Sequence, residues 1–342
     1  MKPGPRNAIT DVPGIAVGNA EDEGIRTGVT VVLPAERAVA SVDARGGGTG
    51  TREIELLDPA ATVEQVDAIV LSGGSAFGLD AAGGVMSWLA GQRRGFRVGE
   101  AVVPIVPTAI LFDLSNGGDK LCFQNADGTG QPYRLLARYA AEAAGAEFRL
   151  GNAGAGFGAT AGALKGGLGT ASSIVEGGAT IGAIAAVNAG GSAVIPGSGA
   201  FWAWPFERDG EFGSVAPPSS PPEELSFDFA GPESATAGAN TTLAVVATDA
   251  TLTKSQAKRV AVMAQAGFAR ALRPVHTPFD GDIVFAVSTG RRALSDDANI
   301  AVAQLGLFAA DCVARAIARG VYEAETLGAL EAYRDRFGEG KG

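Results

Sequence analysis

Glycine sets the first limit on the fold: 50 of the 342 residues are Gly, about twice the ~7% usual in globular chains. These glycines sit among Ala, Val, Ile and Leu without a repeating tripeptide, which excludes collagen. With 46% apolar and 19% charged residues the chain is also too hydrophobic to stay disordered. Glycine interleaved with apolar runs implies tight strand-to-helix turns and backbone layers that approach closely. The clearest such unit is DAIVLS at 67–72, a buried strand, followed by Gly73, Gly74 and Ser75 and then by helical spacing over 79–90. The densest is GNAGAGFGATAGALKGGLG at 151–169.

Around these units the pattern predicts two strands within 29–44 joined by a turn at Pro34, a strand at 102–111 and an Ala-rich helix at 133–144. Strands follow at 170–175 and 179–187. Composition then shifts over 208–238, where five prolines (217, 218, 221, 222 and 232) mark a loop or linker. It feeds into TLAVVAT at 242–248, a strong strand candidate. Thr253 and Gln256 stand at capping-box spacing ahead of an amphipathic helix carrying Ala257, Val260, Ala261, Ala264, Phe268 and Leu272 on one face. A strand at 282–288 and helices at 295–318 and 324–336 complete the chain. Strands and helices mixed without strict alternation predict an α+β layered sandwich, read as one catalytic domain over 1–342.

Several function classes fall away on composition. A formal net charge of −10 with no basic cluster argues against nucleic acid and anionic membrane as partners. A single histidine, His276, gives a zinc site or a histidine-based triad little material. Cys122 and Cys312 lie far apart among apolar neighbours and are expected to be buried free thiols. The glycine runs at 46–50 and 154–158 lack the phosphate-loop pattern. The N-terminal segment has no signal-peptide apolar region, so a cytoplasmic location is expected.

The junction Gly238-Ala239-Asn240-Thr241-Thr242 places a flexible loop directly against a buried strand. A cut before Thr241 would leave a hydroxyl nucleophile at the start of a rigid strand beside its own α-amine. With a pKa of about 7.7 to 8, that amine is partly neutral at working pH and can act as the base. Taken by itself, Asn-Thr-Thr is equally an ordinary turn entering a strand, Asn188 a turn residue before Ala189 and two glycines, and Asp280-Gly281 a hairpin turn.

Longer motifs decide among these readings. GANTTLAVVATDATLTKSQAKRVA and HTPFDGDIVFAVST, with ITDVPGIAVGNA, SVDARGGGTGTRE, VLSGGSAFGLDAAGGVMSWL and AGAGFGATAGALKGGLGTAS, run in order over nearly the whole chain. Together they resemble the self-processing aminopeptidases of the DmpA type, which include the β-peptidyl aminopeptidases and the nylon-oligomer hydrolase NylC. The resemblance implies a four-layer αββα sandwich of the N-terminal-nucleophile type, cut between Asn240 and Thr241 into fragments 1–240 and 241–342 that remain together. It implies Thr241 as nucleophile, Asn188 as oxyanion donor, and Asp280 and Asp282 as the acidic pair that orients the Thr241 amine and hydroxyl. Threonine after Asn at the cut is more like the nylon-oligomer hydrolases than the serine-type members.

Two departures stand out. The nylon-oligomer hydrolases carry a lysine directly after the Ala-Gly of the glycine-rich segment, whereas Ala161 and Gly162 are here followed by Ala163. The nearest lysine, Lys165, either supplies that ammonium along a shifted path or belongs to its own Lys-Gly-Gly turn. A tyrosine lining the site in several members is replaced by Phe112. Of the remaining residues, Arg45 is expected in a structural ion pair and His276 in a loop near the site. The aromatics Phe201, Trp202, Trp204 and Phe206 are expected in the core, a pocket or a subunit contact. The implied substrates are 6-aminohexanoate oligomers, β-peptides, amino-acid amides or short peptides with a free amine, without metal or organic cofactor. The implied assembly is a tetramer of cleaved heterodimers. An acyltransferase of the ornithine acetyltransferase type and an unprocessed binding protein are the alternatives.

Overall fold

In the computed structural model the described residues are 2–125, 129–220, 222, 240–295 and 297–338. In chain order the strands are β1 (Ile15–Asp22), β2 (Thr27–Pro34), β3 (Ala38–Ala44), β4 (Gly50–Arg52), β5 (Gln65–Val66), β6 (Ile69–Ser72), β7 (Phe96–Val98) and β8 (Ala101–Val103). They continue with β9 (Thr108–Ile110), β10 (Thr160–Ala161), β11 (Leu164–Lys165), β12 (Gly167–Ile174), β13 (Thr180–Asn188), β14 (Thr241–Ala250) and β15 (Ile283–Arg292). The helices are α1 (Ala81–Gly91), α2 (Tyr133–Glu142), α3 (Lys254–Ala264), α4 (Ala266–Ala271), α5 (Ala298–Tyr322) and α6 (Tyr333–Phe337).

Two sheets stack face to face, one ordered β1-β2-β6-β9-β4 and the other β12-β13-β14-β15-β3-β5. Apolar residues of both, Val17, Val32 and Leu71 from the first and Leu243, Val245 and Phe285 from the second, fill the space between them. Helices α1 and α2 cover the outer face of the first sheet through Val85, Leu89, Leu136 and Ala140, and α3, α4 and α5 cover that of the second. The protein is thus an αββα sandwich, as its pattern and its resemblance imply.

Strand β14 lies in the middle of the second sheet, antiparallel to β13 and parallel to β15, and all ten of its residues are buried. Its alternation explains why: Leu243, Val245 and Ala247 face the inter-sheet core, while Ala244, Val246 and Ala250 face the helices. Close approach accounts for the glycines nearby. A Cβ on Gly169 of β12 would stand 2.0 Å from the Ala316 carbonyl oxygen of α5, so the helix backbone rests directly on the strand. Helix α5 has a mean hydropathy of 1.6 and a length sufficient to cross a membrane, yet 72% of its apolar window is buried inside the fold. Its composition therefore serves the core.

Some local expectations change. Two strands meet near Pro34 as expected, but Pro34 is the last residue of β2 and β3 enters the other sheet, so residues 35–37 carry the chain from one layer to the other. The predicted strand at 102–111 divides into β8 and β9, with Pro104 and Pro107 between them, because proline supplies no ladder donor. The helix opened by Thr253, whose side chain accepts from Gln256 N–H in a capping box, is interrupted at Gln265 into α3 and α4. The predicted helix 324–336 shrinks to α6, since Leu327 and Leu330 form a bridge and Gly328 adopts φ +64°. Both cysteines are free thiols; Cys312 is buried, but Cys122 is only half-buried. Residues 222 and 208–220 contain neither helix nor strand, and residues 221 and 223–239 of the Pro-rich stretch, with Gly238 and Ala239 of the junction, lie outside the described residues.

Candidate active site

Thr241 is the first residue of β14, paired with Asn188, the last residue of β13. Its hydroxyl oxygen lies 2.5 Å from the carbonyl oxygen of the preceding residue, Asn240, and donates to it. That carbonyl oxygen also accepts the backbone N–H of Gly281 at 2.7 Å. The bond proposed from sequence as the cut site therefore has its own downstream hydroxyl against it and a main-chain donor on its oxygen. Thr241 is 1% and Asn240 4% exposed, so these contacts are made away from bulk water, where they are stronger.

The loop that supplies Gly281 also supplies the acidic pair. Asp282 Oδ1 accepts the N–H of Thr242 at 2.8 Å, and Oδ2 accepts the His276 N–H at 3.1 Å and faces His276 Nδ1 at 2.9 Å. Asp282 thus fixes Thr242, the residue that follows Thr241. Asp280 accepts the N–H of Thr277 at 2.8 Å and, at 3.5 Å, that of Gly190. Burial, and next the negative charge of Asp282, push the Asp280 carboxyl above its ordinary pKa.

A second loop clamps this one. Gly48 N–H donates to the Asp280 carbonyl at 2.8 Å and Arg45 N–H to the Asp282 carbonyl at 3.0 Å. A Cβ on Gly46 would meet the Asp280 oxygen at 2.3 Å, which explains the glycines of ARGGG as room for a neighbouring main chain. The Arg45 side chain instead pairs with Asp43 at 2.7 Å, and Lys258 holds the other oxygen of that carboxylate at 3.1 Å. This is the structural ion pair expected of Arg45.

Asn188 is held at both ends: its Oδ1 accepts the Thr160 N–H at 2.9 Å, and its amide N–H donates to the Phe112 carbonyl at 3.0 Å. The position where relatives carry a tyrosine thus contributes its main chain here. Lys165 sits in β11, paired with Thr160, one step behind Asn188. Its ammonium donates to the carbonyls of Gly156 at 3.0 Å and Gly166 at 2.6 Å, the second of which belongs to its own Lys-Gly-Gly turn. The structure therefore gathers Asn240, Thr241, Asp280, Asp282 and Asn188 around one strand end and joins Lys165 to them through Thr160.

Burial, offset in part by the charge of Asp113, brings the Lys165 pKa down to about 7. A folded-state value below the unfolded 10.5 means that between pH 7 and 9 the unfolded chain keeps a proton the folded chain has released, so stability rises with pH there. Wild type should gain on the order of 2 kcal/mol over that interval relative to Lys165→Met. Urea unfolding of both at pH 7 and pH 9 measures it, and equal gains would contradict it.

Three elements of the site were not anticipated: the Gly281 N–H, the His276–Asp282 contact and the Gly46–Gly48 clamp. Their sequence signals are the glycine between two aspartates and the lone histidine six residues before Asp282. Of the aromatics, Phe201 is buried against Phe212, with ring centroids 5.4 Å apart, and Trp202 lies beneath Arg273. Among the described residues no group of three or more His, Cys, Asp or Glu is placed to share a metal ion.

Comparison with known proteins identifies the family. The profile of peptidase family S58 matches residues 7–334. An uncharacterized aminopeptidase of Mycobacterium tuberculosis (strain ATCC 25618 / H37Rv) is 44% identical, covering 97% of this chain and 98% of its own. A 6-aminohexanoate-oligomer endohydrolase of Kocuria sp. (strain KY2) is 30% identical over 82% of this chain and 74% of its own. In fold, the chain is similar to the L-aminopeptidase D-Ala-esterase/amidase of Ochrobactrum anthropi, described as a variant of the Ntn hydrolase fold. The TM-score is 0.66 at 24% identity, over 96% of this chain and 89% of that one.

Proposed function

The chain belongs to peptidase family S58 and is a peptidase or amidase, and on that premise we propose that it cuts itself between Asn240 and Thr241 and then hydrolyses amides with the Thr241 it has freed. The contact of the Thr241 hydroxyl with the Asn240 carbonyl group, whose oxygen Gly281 N–H also holds, carries the reading. In self-cleavage the hydroxyl oxygen bonds to the Asn240 carbonyl carbon and the bond from that carbon to the Thr241 nitrogen breaks. The nitrogen takes up the hydroxyl proton. Gly281 N–H stabilises the negative charge that develops on the carbonyl oxygen, as a fixed donor does in acyl transfer. Water then hydrolyses the ester, leaving the Asn240 carboxylate and a free Thr241 amine and hydroxyl.

In turnover the amine takes the hydroxyl proton, the oxygen attacks the substrate carbonyl, and the acyl-enzyme is released by water. Asn188, opposite Thr241 in the register, is the side-chain donor for the substrate oxyanion. The fragments stay joined because β14 is hydrogen-bonded to β13 and β15 to β3, two ladders that tie strands of 241–342 to strands of 1–240. The substrate class we favour is the 6-aminohexanoate oligomer or a short peptide with a free amine, since Asp280 and Asp282 lie close to the nucleophile and would attract a cationic end.

Intact mass spectrometry tests the cut: two species corresponding to 1–240 and 241–342 are expected, and a single chain after prolonged incubation would refute self-processing. Assaying 6-aminohexanoate dimer with and without an added amine separates hydrolysis from transfer. Acyl-amine product at the expense of free acid would make the enzyme an acyltransferase.

A further inference from the structure

Beyond Asn188 the chain runs into a cleft of about 170 Å³ whose lining includes Leu164, Ser192, Trp202, Arg273, Arg336 and Phe337 and, among the described residues, no Asp or Glu. Its two halves continue the segments that build the active site. Ser192 N–H donates to the Arg273 carbonyl at 2.9 Å, and Arg273 N–H to the Ser192 carbonyl at 3.0 Å. Ser192 is four residues past Asn188 and Arg273 three before His276, so the cleft lies within about 14 Å of chain reach from the nucleophile's strand partner.

The charge in this cleft is unusual for a chain of net charge −10. Arg273 is exposed, lies 5.6 Å over the Trp202 ring and has no acidic partner among the described residues. Stacking on the indole holds the guanidinium in place without neutralising it. Arg336 pairs with Glu331 at 2.8 Å and reaches the Ala163 carbonyl at 3.3 Å, which anchors it at the opposite wall. The Trp202 indole N–H is buried and has no hydrogen-bond partner among the described residues, a donor that such burial ordinarily satisfies. Val194, Ile195 and Phe337 add apolar surface. Beyond about 8 Å the acidic remainder of the protein is screened, and with Arg336 already paired to Glu331 the charge a ligand meets is that of Arg273.

We propose that this cleft binds the free carboxylate at the leaving-group end of the substrate. Arg273 takes the carboxylate, with Arg336 flanking it from its pairing with Glu331, the apolar wall takes the methylenes, and the amine end lies toward Asp280 and Asp282. The substrate is then a zwitterionic amide read at both ends, an amino-acid oligomer with a free amine and a free acid. This assignment rests on the amide-hydrolase reading above.

Two measurements test it separately from that reading. Calorimetry on the uncut Thr241→Ala chain, with hexanoate and hexanamide as probes, needs only the cleft. Hexanoate should bind at least about tenfold more tightly, the preference shrinking at high salt, and Arg273→Gln should remove it. Equal binding of the two probes, or an unchanged preference in Arg273→Gln, overturns the cleft. On the processed enzyme, the ratio of kcat/KM for 6-aminohexanoate dimer to that for its C-terminal amide should fall about tenfold or more in Arg273→Gln, chiefly through KM. Arg336→Gln should act in the same direction. A ratio unchanged in both variants rejects the carboxylate site while leaving the hydrolase intact. A wild type that neither cleaves itself nor hydrolyses either compound rejects the parent reading, and calorimetry still judges the cleft.

Discussion

Thr241→Ala should yield one uncut chain of 34.3 kDa with no measurable amide hydrolysis. The methyl side chain removes the oxygen that lies against the Asn240 carbonyl, and with it both the internal attack and the acyl-enzyme. Loss of a nucleophile in an N-terminal-nucleophile scheme is total, because the general base is created only by the cut. Thr241→Ser separates the hydroxyl from the rest of the side chain. It keeps the oxygen but loses the γ-methyl that restricts χ1, so it should still process itself, more slowly. Intact mass over a time course reads both variants. A cut and active Thr241→Ala would place the nucleophile elsewhere.

Gly281→Ala should slow self-cleavage by about 100-fold or more, although it alters no titratable group. The new Cβ would stand 2.4 Å from the Thr241 hydroxyl oxygen, 3.2 Å from its methyl and 3.0 Å from the Gly48 carbonyl oxygen. Gly281 has none of the positive φ values that penalise alanine, so the backbone accepts the substitution and the collision falls on the nucleophile. A buried, β-branched Thr241 yields only by swinging its hydroxyl off the carbonyl or by pushing back the loop that carries the Gly281 N–H. Either movement costs an aligned oxyanion donor or attacking group, each worth about 10² to 10³ in rate in comparable acyl transfers. The fraction uncut against time gives the rate, and the melting temperature of the uncut variant shows whether it is folded. A folded Gly281→Ala that matures at the wild-type rate would remove the Gly281 N–H from the mechanism.

The parts of this site that were legible in the sequence are those carried by side-chain identity. Thr241 could be singled out at its loop-to-strand junction, whereas Asn188, Asp280 and Asp282 could be singled out only through the resemblance that the long motifs carry. The strand after Thr241 was legible because the middle of its buried run, Leu243 to Ala247, is continuously apolar. The Gly281 donor was not, since every residue but proline offers an N–H and only the fold decides which carbonyl receives it. Lys165 was ambiguous for a related reason: its environment consists of two main-chain carbonyls. Helix 324–336 failed because good helix formers surround Gly328, and local propensity yields there to a turn that returns the chain. Arg273 and Arg336 come from segments distant in sequence that share a cleft only in the folded chain.

The position of β14 between β13 and β15 also gives the proposed cut a timing. Thr241 meets Asn240's carbonyl in the described way only once β14 has entered the middle of its sheet and residues 276–282 have closed over its first residue. A chain misassembled there lacks the Gly281 N–H on the Asn240 carbonyl oxygen. Maturation is thereby a receipt for correct assembly: catalytic competence is issued one molecule at a time, to chains already native at the center, and misfolded copies remain silent without any outside inspector.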